Sequence, residues 1–233
     1  MEKKIQLFLL PFAGGNAKSF NKLISCLDES IEAISIEYAG RGARRKNNFI
    51  LEYNAFLEDV AAFIKDKRNT NLPYALLGYS MGSALVYDLI RTNVLDSSPQ
   101  IMVLCARGFL DHQFMSQKYA FLGEDEFIEK VKRLGGMDER ILQNRRFLDI
   151  YLEPLKSDYK VWSQYKYIPL PQNIGNDILV FYSEADSPKE TVEGWKDITT
   201  GTTEMYEFGH NHFFINEYYM EMANIINNKI ITL

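Results

Sequence analysis

Short apolar runs alternate with helix-period stretches through most of this chain, and that order constrains its fold more than any other feature. Strands are expected over Ile5 to Pro11, Ile31 to Tyr38, Tyr74 to Leu77 and Gln100 to Ala106. Between them the spacing predicts a helix near Lys18 to Leu27 and one over Tyr53 to Lys67, with Phe56, Val60, Phe63 and Ile64 on one face. A third runs to about Asn93 with Leu85, Val86, Leu89 and Ile90 apolar. Strand, helix and strand in repetition predict an α/β fold, a parallel sheet covered on both faces. The pattern resumes late, with strands at Ile178 to Ser183 and Thr202 to Phe208 and helices at Pro188 to Ile198 and Asn216 to Asn227. Between 108 and about 167 it stops. There the chain carries short helical patterns dense in aromatics, one closed by Gly135-Gly136 and another bent at Pro154. Such helices cannot bury their apolar faces alone, so they are expected to cover the carboxyl edge of the sheet as a lid. A length of 233 residues suits one domain over 1–233 with that insertion.

The chemistry centres on Gly78-Tyr79-Ser80-Met81-Gly82. Two glycines and a serine at this spacing arise by chance in roughly one chain in ten, so the pattern alone is weak. Its context is stronger: an apolar strand leads into it and an amphipathic helix leaves it, the setting a nucleophile elbow requires. In such a turn the serine backbone is strained and its hydroxyl is pushed clear of the packing at a helix N-terminus. In an α/β-hydrolase the oxyanion hole takes one N–H from the residue after the nucleophile, Met81, and one from the loop after the first strand. That loop is Phe12-Ala13-Gly14-Gly15-Asn16, and Ala13 is the candidate.

A serine hydroxyl needs a base, and the base an orienting acid. Three histidines exist, His112, His210 and His212. The last two follow the final strand, where the order serine, acid, histidine puts the base. His212, braced by Phe213-Phe214-Ile215, is preferred to His210. Asp186, just after the strand ending at Ser183, is the expected acid; Asp111 is the rival, and helix capping is the structural alternative for Asp186.

Composition narrows the rest. A net charge of -5 gives no support to nucleic-acid binding. Two cysteines, Cys26 and Cys105, sit in apolar patterns and read as buried thiols without metal-ligand spacing. The run Leu7-Phe8-Leu9-Leu10 is too short and too interrupted for a signal peptide, and no stretch approaches the length of a membrane span. A cytoplasmic monomer without metal or cofactor is expected.

Taken together, these residues resemble the stand-alone type II thioesterases of nonribosomal peptide and polyketide synthases. The likeness rests on Leu10-Pro11-Phe12-Ala13-Gly14-Gly15, Gly40-Arg41-Gly42-x-Arg44, the serine elbow, Leu134-Gly135-Gly136, Pro154-Leu155-Lys156-Ser157-Asp158-Tyr159, Asp186 with Trp195, and His212-Phe213-Phe214. The chain departs from the family pattern at Ala39 and Asn211. The resemblance implies an α/β-hydrolase that removes acyl groups from the phosphopantetheine arms of acyl or peptidyl carrier proteins. Ser80, Asp186 and His212 would be its triad, and Ala13 and Met81 its oxyanion donors. Arg41, Arg44, Arg45 and Lys46 are candidates to meet an acidic carrier, unless Arg41 and Arg44 are consumed in internal salt bridges. A carboxylesterase or an acyltransferase could use the same residues.

Overall fold

The computed structural model describes residues 3–110, 122–133 and 145–231. Among them, six strands form one sheet: β1 (Ile5–Leu10), β2 (Ile31–Ser35), β3 (Tyr74–Tyr79), β4 (Ile101–Cys105), β5 (Asp177–Tyr182) and β6 (Thr203–Glu207). Their order is β2-β1-β3-β4-β5-β6, and every neighbouring pair is parallel. Strands buried on both faces read as continuous apolar runs, and all six residues of β1 and of β3 are buried. The one polar residue of β1 is satisfied. Gln6 donates through Nε2 to Glu32 Oε2 at 3.0 Å and the Lys67 carbonyl at 3.1 Å, and its Oε1 accepts from the Asn69 N–H at 2.7 Å.

Alternate side chains feed two cores. On one face Phe8, Leu10, Leu76, Met102, Leu104 and Val180 pack against α2 (Tyr53–Lys67) and α3 (Met81–Arg91). On the other, Leu7, Leu9, Leu77, Val103, Leu179 and Phe181 pack against α1 (Asn21–Ile24) and, at the C-terminal end of the chain, Met222, Ala223 and Ile226 of a long helix.

The helical insertion has its own core. Phe127 and Val131 of α4 (Glu124–Arg133) meet Leu148, Leu152, Leu155 and Tyr159 of α5 (Arg145–Trp162), with Ala13 packed against them. Pro154 lies inside α5, which is helical on both sides of it, so the proline does not end the helix. The Gly135-Gly136 stop falls outside the described residues. After β5 come α6 (Lys189–Val192) and a 3-10 turn, Glu193–Ile198, where one continuous helix was expected; α7 (Ile215–Ile231) closes the chain. The helix expected near Lys18 to Leu27 is likewise a 3-10 turn, Ala17–Phe20, followed by the single turn of α1. Both cysteines are free; Cys105 is buried, but Cys26 is only half-buried. No described helix is long and apolar enough to cross a membrane.

The sheet order fixes where function can sit. From β1 the chain goes to β2 on one side, then crosses back to β3 on the other and marches outward to β6. The loops after β1 and β3 therefore diverge, opening a crevice at the carboxyl ends of these strands.

Candidate active site

Ser80 follows directly on β3 with φ 54° and ψ −108°, a conformation costing about 1–3 kcal/mol for a residue with a side chain. Its neighbours hold it there. The Ser80 N–H donates to the Cys105 carbonyl at 2.8 Å, and the Ser83 hydroxyl donates toward the Gly78 carbonyl at 2.8 Å while accepting from the Cys105 N–H at 3.1 Å. The glycines are demanded by proximity: a Cβ on Gly78 would lie 2.3 Å from the Gly82 carbonyl oxygen, and one on Gly82 would lie 2.1 Å from that of Leu10. So β3, α3 and the end of β1 meet with no room for a methyl group, and the serine is the one side chain of the turn left partly exposed. Ser83 carried no distinguishing signal in the sequence.

On the same edge of the sheet, the loops after β5 and β6 bring an acid and an imidazole together. Asp186 sits in a turn whose Asp186 and Ser187 N–H groups both donate to the Ser183 carbonyl, at 3.0 and 2.8 Å. Its Oδ2 lies 2.8 Å from His212 Nδ1. A carboxylate only accepts, so the bond puts a proton on Nδ1 and leaves Nε2 of the neutral ring as a base. The Ser187 hydroxyl donates to the same Oδ2 at 3.2 Å. His210 is exposed, while the His212 side chain is only 13% exposed. The rival acid Asp111 and His112 lie outside the described residues.

Tyr79 ties these parts to the elbow. It immediately precedes Ser80, is fully buried, and donates its hydroxyl to the His212 carbonyl at 2.7 Å. Its ring also meets the His212 imidazole edge-on, centroids 6.1 Å apart. Burial pushes the phenol well above its ordinary pKa, so it remains a neutral donor. Sequence reading passed over Tyr79 because an aromatic at the end of a buried strand looks like core.

Around the loop after β1, Tyr38 donates to the Pro11 carbonyl at 2.9 Å, and Arg41 donates to that of Gly15 at 3.1 Å. Met81 opens α3, so its N–H is among those a helix leaves without an internal acceptor. The sequence of residues 5–230 matches the family model described as Thioesterase domain.

The chain belongs to the thioesterase family.

Among the relatives of this thioesterase is the gramicidin S biosynthesis protein GrsT of Aneurinibacillus migulanus. It is 29% identical over 231 residues, covering 97% of this chain and 89% of that one. The thioesterase PikA5 of Streptomyces venezuelae is 26% identical, covering 97% of this chain and 81% of that one. The crystal structure of ClbQ from the colibactin NRPS/PKS pathway superposes with a TM-score of 0.87 over 99% of this chain and 98% of that one, at 24% identity, which supports the shared fold.

Arg41 and Arg44 of the thioesterase are both consumed internally. Arg41 pairs with Asp158 of α5 through two bonds of 2.6 Å, and Arg44 pairs with Asp59 of α2 at 2.7 and 2.6 Å. Arg45 and Lys46 stay exposed. Arg45 lines a cavity of about 500 Å³ whose other walls include Gly14, Phe49, Ile150 and Pro154. Trp195 is buried and donates to the Arg107 carbonyl at 2.9 Å, and the Arg107 guanidinium stacks on Trp162, 4.5 Å from the ring centroid. Burial pulls the Arg107 pKa down to about 10.

Proposed function

We propose that this chain is a serine thioesterase that hydrolyses acyl groups from the phosphopantetheine arms of acyl or peptidyl carrier proteins, clearing nonribosomal peptide or polyketide synthases. The observation that carries the mechanism is the 2.8 Å bond between His212 Nδ1 and Asp186, at the same edge of the sheet as a serine held at φ 54°. Ser80 Oγ attacks the thioester carbonyl as His212 Nε2 takes its proton, and Asp186 stabilises the imidazolium. The N–H groups of Ala13 and Met81 hold the oxyanion. The C–S bond then breaks, and the thiolate takes the proton from His212 and leaves as a thiol of pKa near ~8.5, far more readily than an amine would. Water activated by the same histidine attacks the acyl-serine, the acid departs, and the proton returns to Ser80.

Carrier-bound substrates are supported by two features together: the similarity to GrsT and PikA5, named for biosynthesis and thioesterase activity, and the cavity beside Gly14. Its volume suits a flexible arm, and Arg45 supplies a cation for the arm's phosphate or an acidic carrier surface. The α4–α5 insertion acts as the lid of a single domain, bounding an acyl pocket in which each methylene discriminates by about 1–3 kcal/mol. Broad acyl selectivity follows.

The test compares kcat/KM on an acyl-loaded carrier protein with that on a small aryl ester bearing the same acyl group. A clear preference for the carrier substrate is expected; a large preference for the free ester would make the protein a carboxylesterase.

A further inference from the structure

We propose that Asp158, in the insertion, is a positioning residue for the oxyanion hole, so that the hole is assembled only while α5 rests on the loop after β1. The inference rests on the reading of Ala13 as an oxyanion donor and adds what holds that donor in place.

The loop after β1 is a tight turn in which the Gly15 N–H donates to the Phe12 carbonyl at 2.8 Å. Ala13 and Gly14 are its central residues, and Gly14 has φ +78°, the sign that a type II turn requires at its third position. Such a turn uses neither central N–H in its own closing bond. That of Gly14 donates to Asp158 Oδ2 at 2.7 Å. That of Ala13 belongs to neither the turn nor Asp158, which suits it to a ligand.

Asp158 is fully buried, and its charge is met by three donors: Arg41 Nη1 and Nη2, both at 2.6 Å, and the Gly14 N–H. Arg41 is itself buried and donates onward to the Gly15 carbonyl at 3.1 Å. The ion pair thus grips the turn at the N–H of the Ala13–Gly14 peptide and at the Gly15 carbonyl beyond it. Leu155, one helical turn before Asp158, closes the grip from above: a Cβ on Gly14 would lie 2.8 Å from its Cδ1. Ala13 packs against the insertion's own core as well as the main one. Because interactions between buried charges are stiff and their loss is costly, the turn cannot keep this geometry if α5 lifts away. Lid position and transition-state stabilisation are coupled through one carboxylate.

A purely structural ion pair and a positioning one respond differently to replacement by apolar side chains, which often leaves stability intact. The double variant Arg41→Met/Asp158→Leu is therefore compared with the single variant Asp158→Asn and with the unaltered protein. The readouts are thermal midpoint, kcat and KM on an acyl-loaded carrier protein, and the rate at which a fluorophosphonate labels Ser80. Loss of one oxyanion donor costs about 10²–10³-fold in kcat. The expected result is a kcat lowered by about 10²-fold in either folded variant, KM within about threefold, and phosphonylation slowed in parallel, since its adduct also carries a tetrahedral oxyanion. Unchanged kcat and labelling rate in a folded variant would overturn the positioning role. Failure of the unaltered protein to label at Ser80 would instead strike the underlying reading of the nucleophile.

Discussion

At the residue scale, the candidate site is braced by bonds to backbone as well as by the side chains proposed to meet substrate. Tyr79 is the clearest case, since its hydroxyl supports the His212 carbonyl from inside the core. Tyr79→Phe removes that donor and strands a buried acceptor, which costs about 1–3 kcal/mol. The thermal midpoint is expected to fall by several degrees and kcat by several-fold more than KM changes. An unchanged kcat would mean that the loop carrying His212 is fixed by Phe213 and Phe214 alone. The residues proposed to do the chemistry stood out in the chain because each has a local signature: the serine between two glycines, the aspartate after a strand, the histidine before Phe213-Phe214. The residues that brace them were legible only in part: an internal salt bridge of Arg41 was one expectation, but its partner Asp158 stands 117 positions away with no local sign of burial.

At the element scale, strand periodicity located all six strands, and α2 was bounded by its apolar face and ends at Tyr53 and Lys67 as expected. Where expectation and structure part, local chemistry decides. The segment after β2 stays bonded briefly, through the Ile36 N–H to the Leu9 carbonyl, then leaves the sheet so that Tyr38 can reach Pro11. The stretch after Asn16 is a capped 3-10 turn before it is helix, because the Asn16 side chain accepts from the Lys18 N–H at 2.9 Å. At the outer edge of the sheet, Lys229 of α7 bonds to Asp177 of β5 at 2.9 Å and to Glu204 of β6 at 2.8 Å. Its ammonium holds both carboxyls below their usual pKa. Groups with depressed folded values stabilise fully above the unfolded carboxylate range, near ~4 to 4.5, and lose that contribution as pH falls through the folded values. Lys229 itself is raised, so its share disappears only above the ordinary lysine range. The cluster is partly exposed, so Lys229→Met is expected to cost no more than about 1 kcal/mol at pH 7. Denaturant titrations of the two proteins should converge as pH is lowered from ~4.5 toward ~2; a gap that persists at low pH would assign the loss to packing of the lysine stem.

For the whole molecule, the order of strands could not be read from the chain, because periodicity says which segments are strands and not which lie side by side. The switch between β1 and β3, which sets the loop proposed to hold the oxyanion beside the serine turn, became visible only in three dimensions. The same holds for surface charge. Of the four basic residues after β2, the sequence left open whether Arg41 and Arg44 are consumed internally; they are tied to Asp158 and Asp59, and Arg45 and Lys46 remain exposed, the two proposed to meet a carrier. Reversing both, Arg45→Glu/Lys46→Glu, is expected to raise KM for an acyl-loaded carrier protein by roughly tenfold at low salt and less at high salt, as screening predicts. KM for a small aryl ester should not move, and an equal rise there would locate the defect in the acyl pocket. The claim beneath all of this is that Ser80 accepts the acyl group with His212 as its base. Intact-mass spectrometry of an acyl-loaded carrier protein, after exposure to the unaltered chain and to Ser80→Ala, His212→Ala and His210→Ala, tests it most directly. Free-thiol carrier is expected from the unaltered chain and His210→Ala, and acyl-carrier left intact by the other two, with turnover lowered by at least about 10³-fold. Full unloading by Ser80→Ala, or loss of activity at position 210 alone, would contradict it.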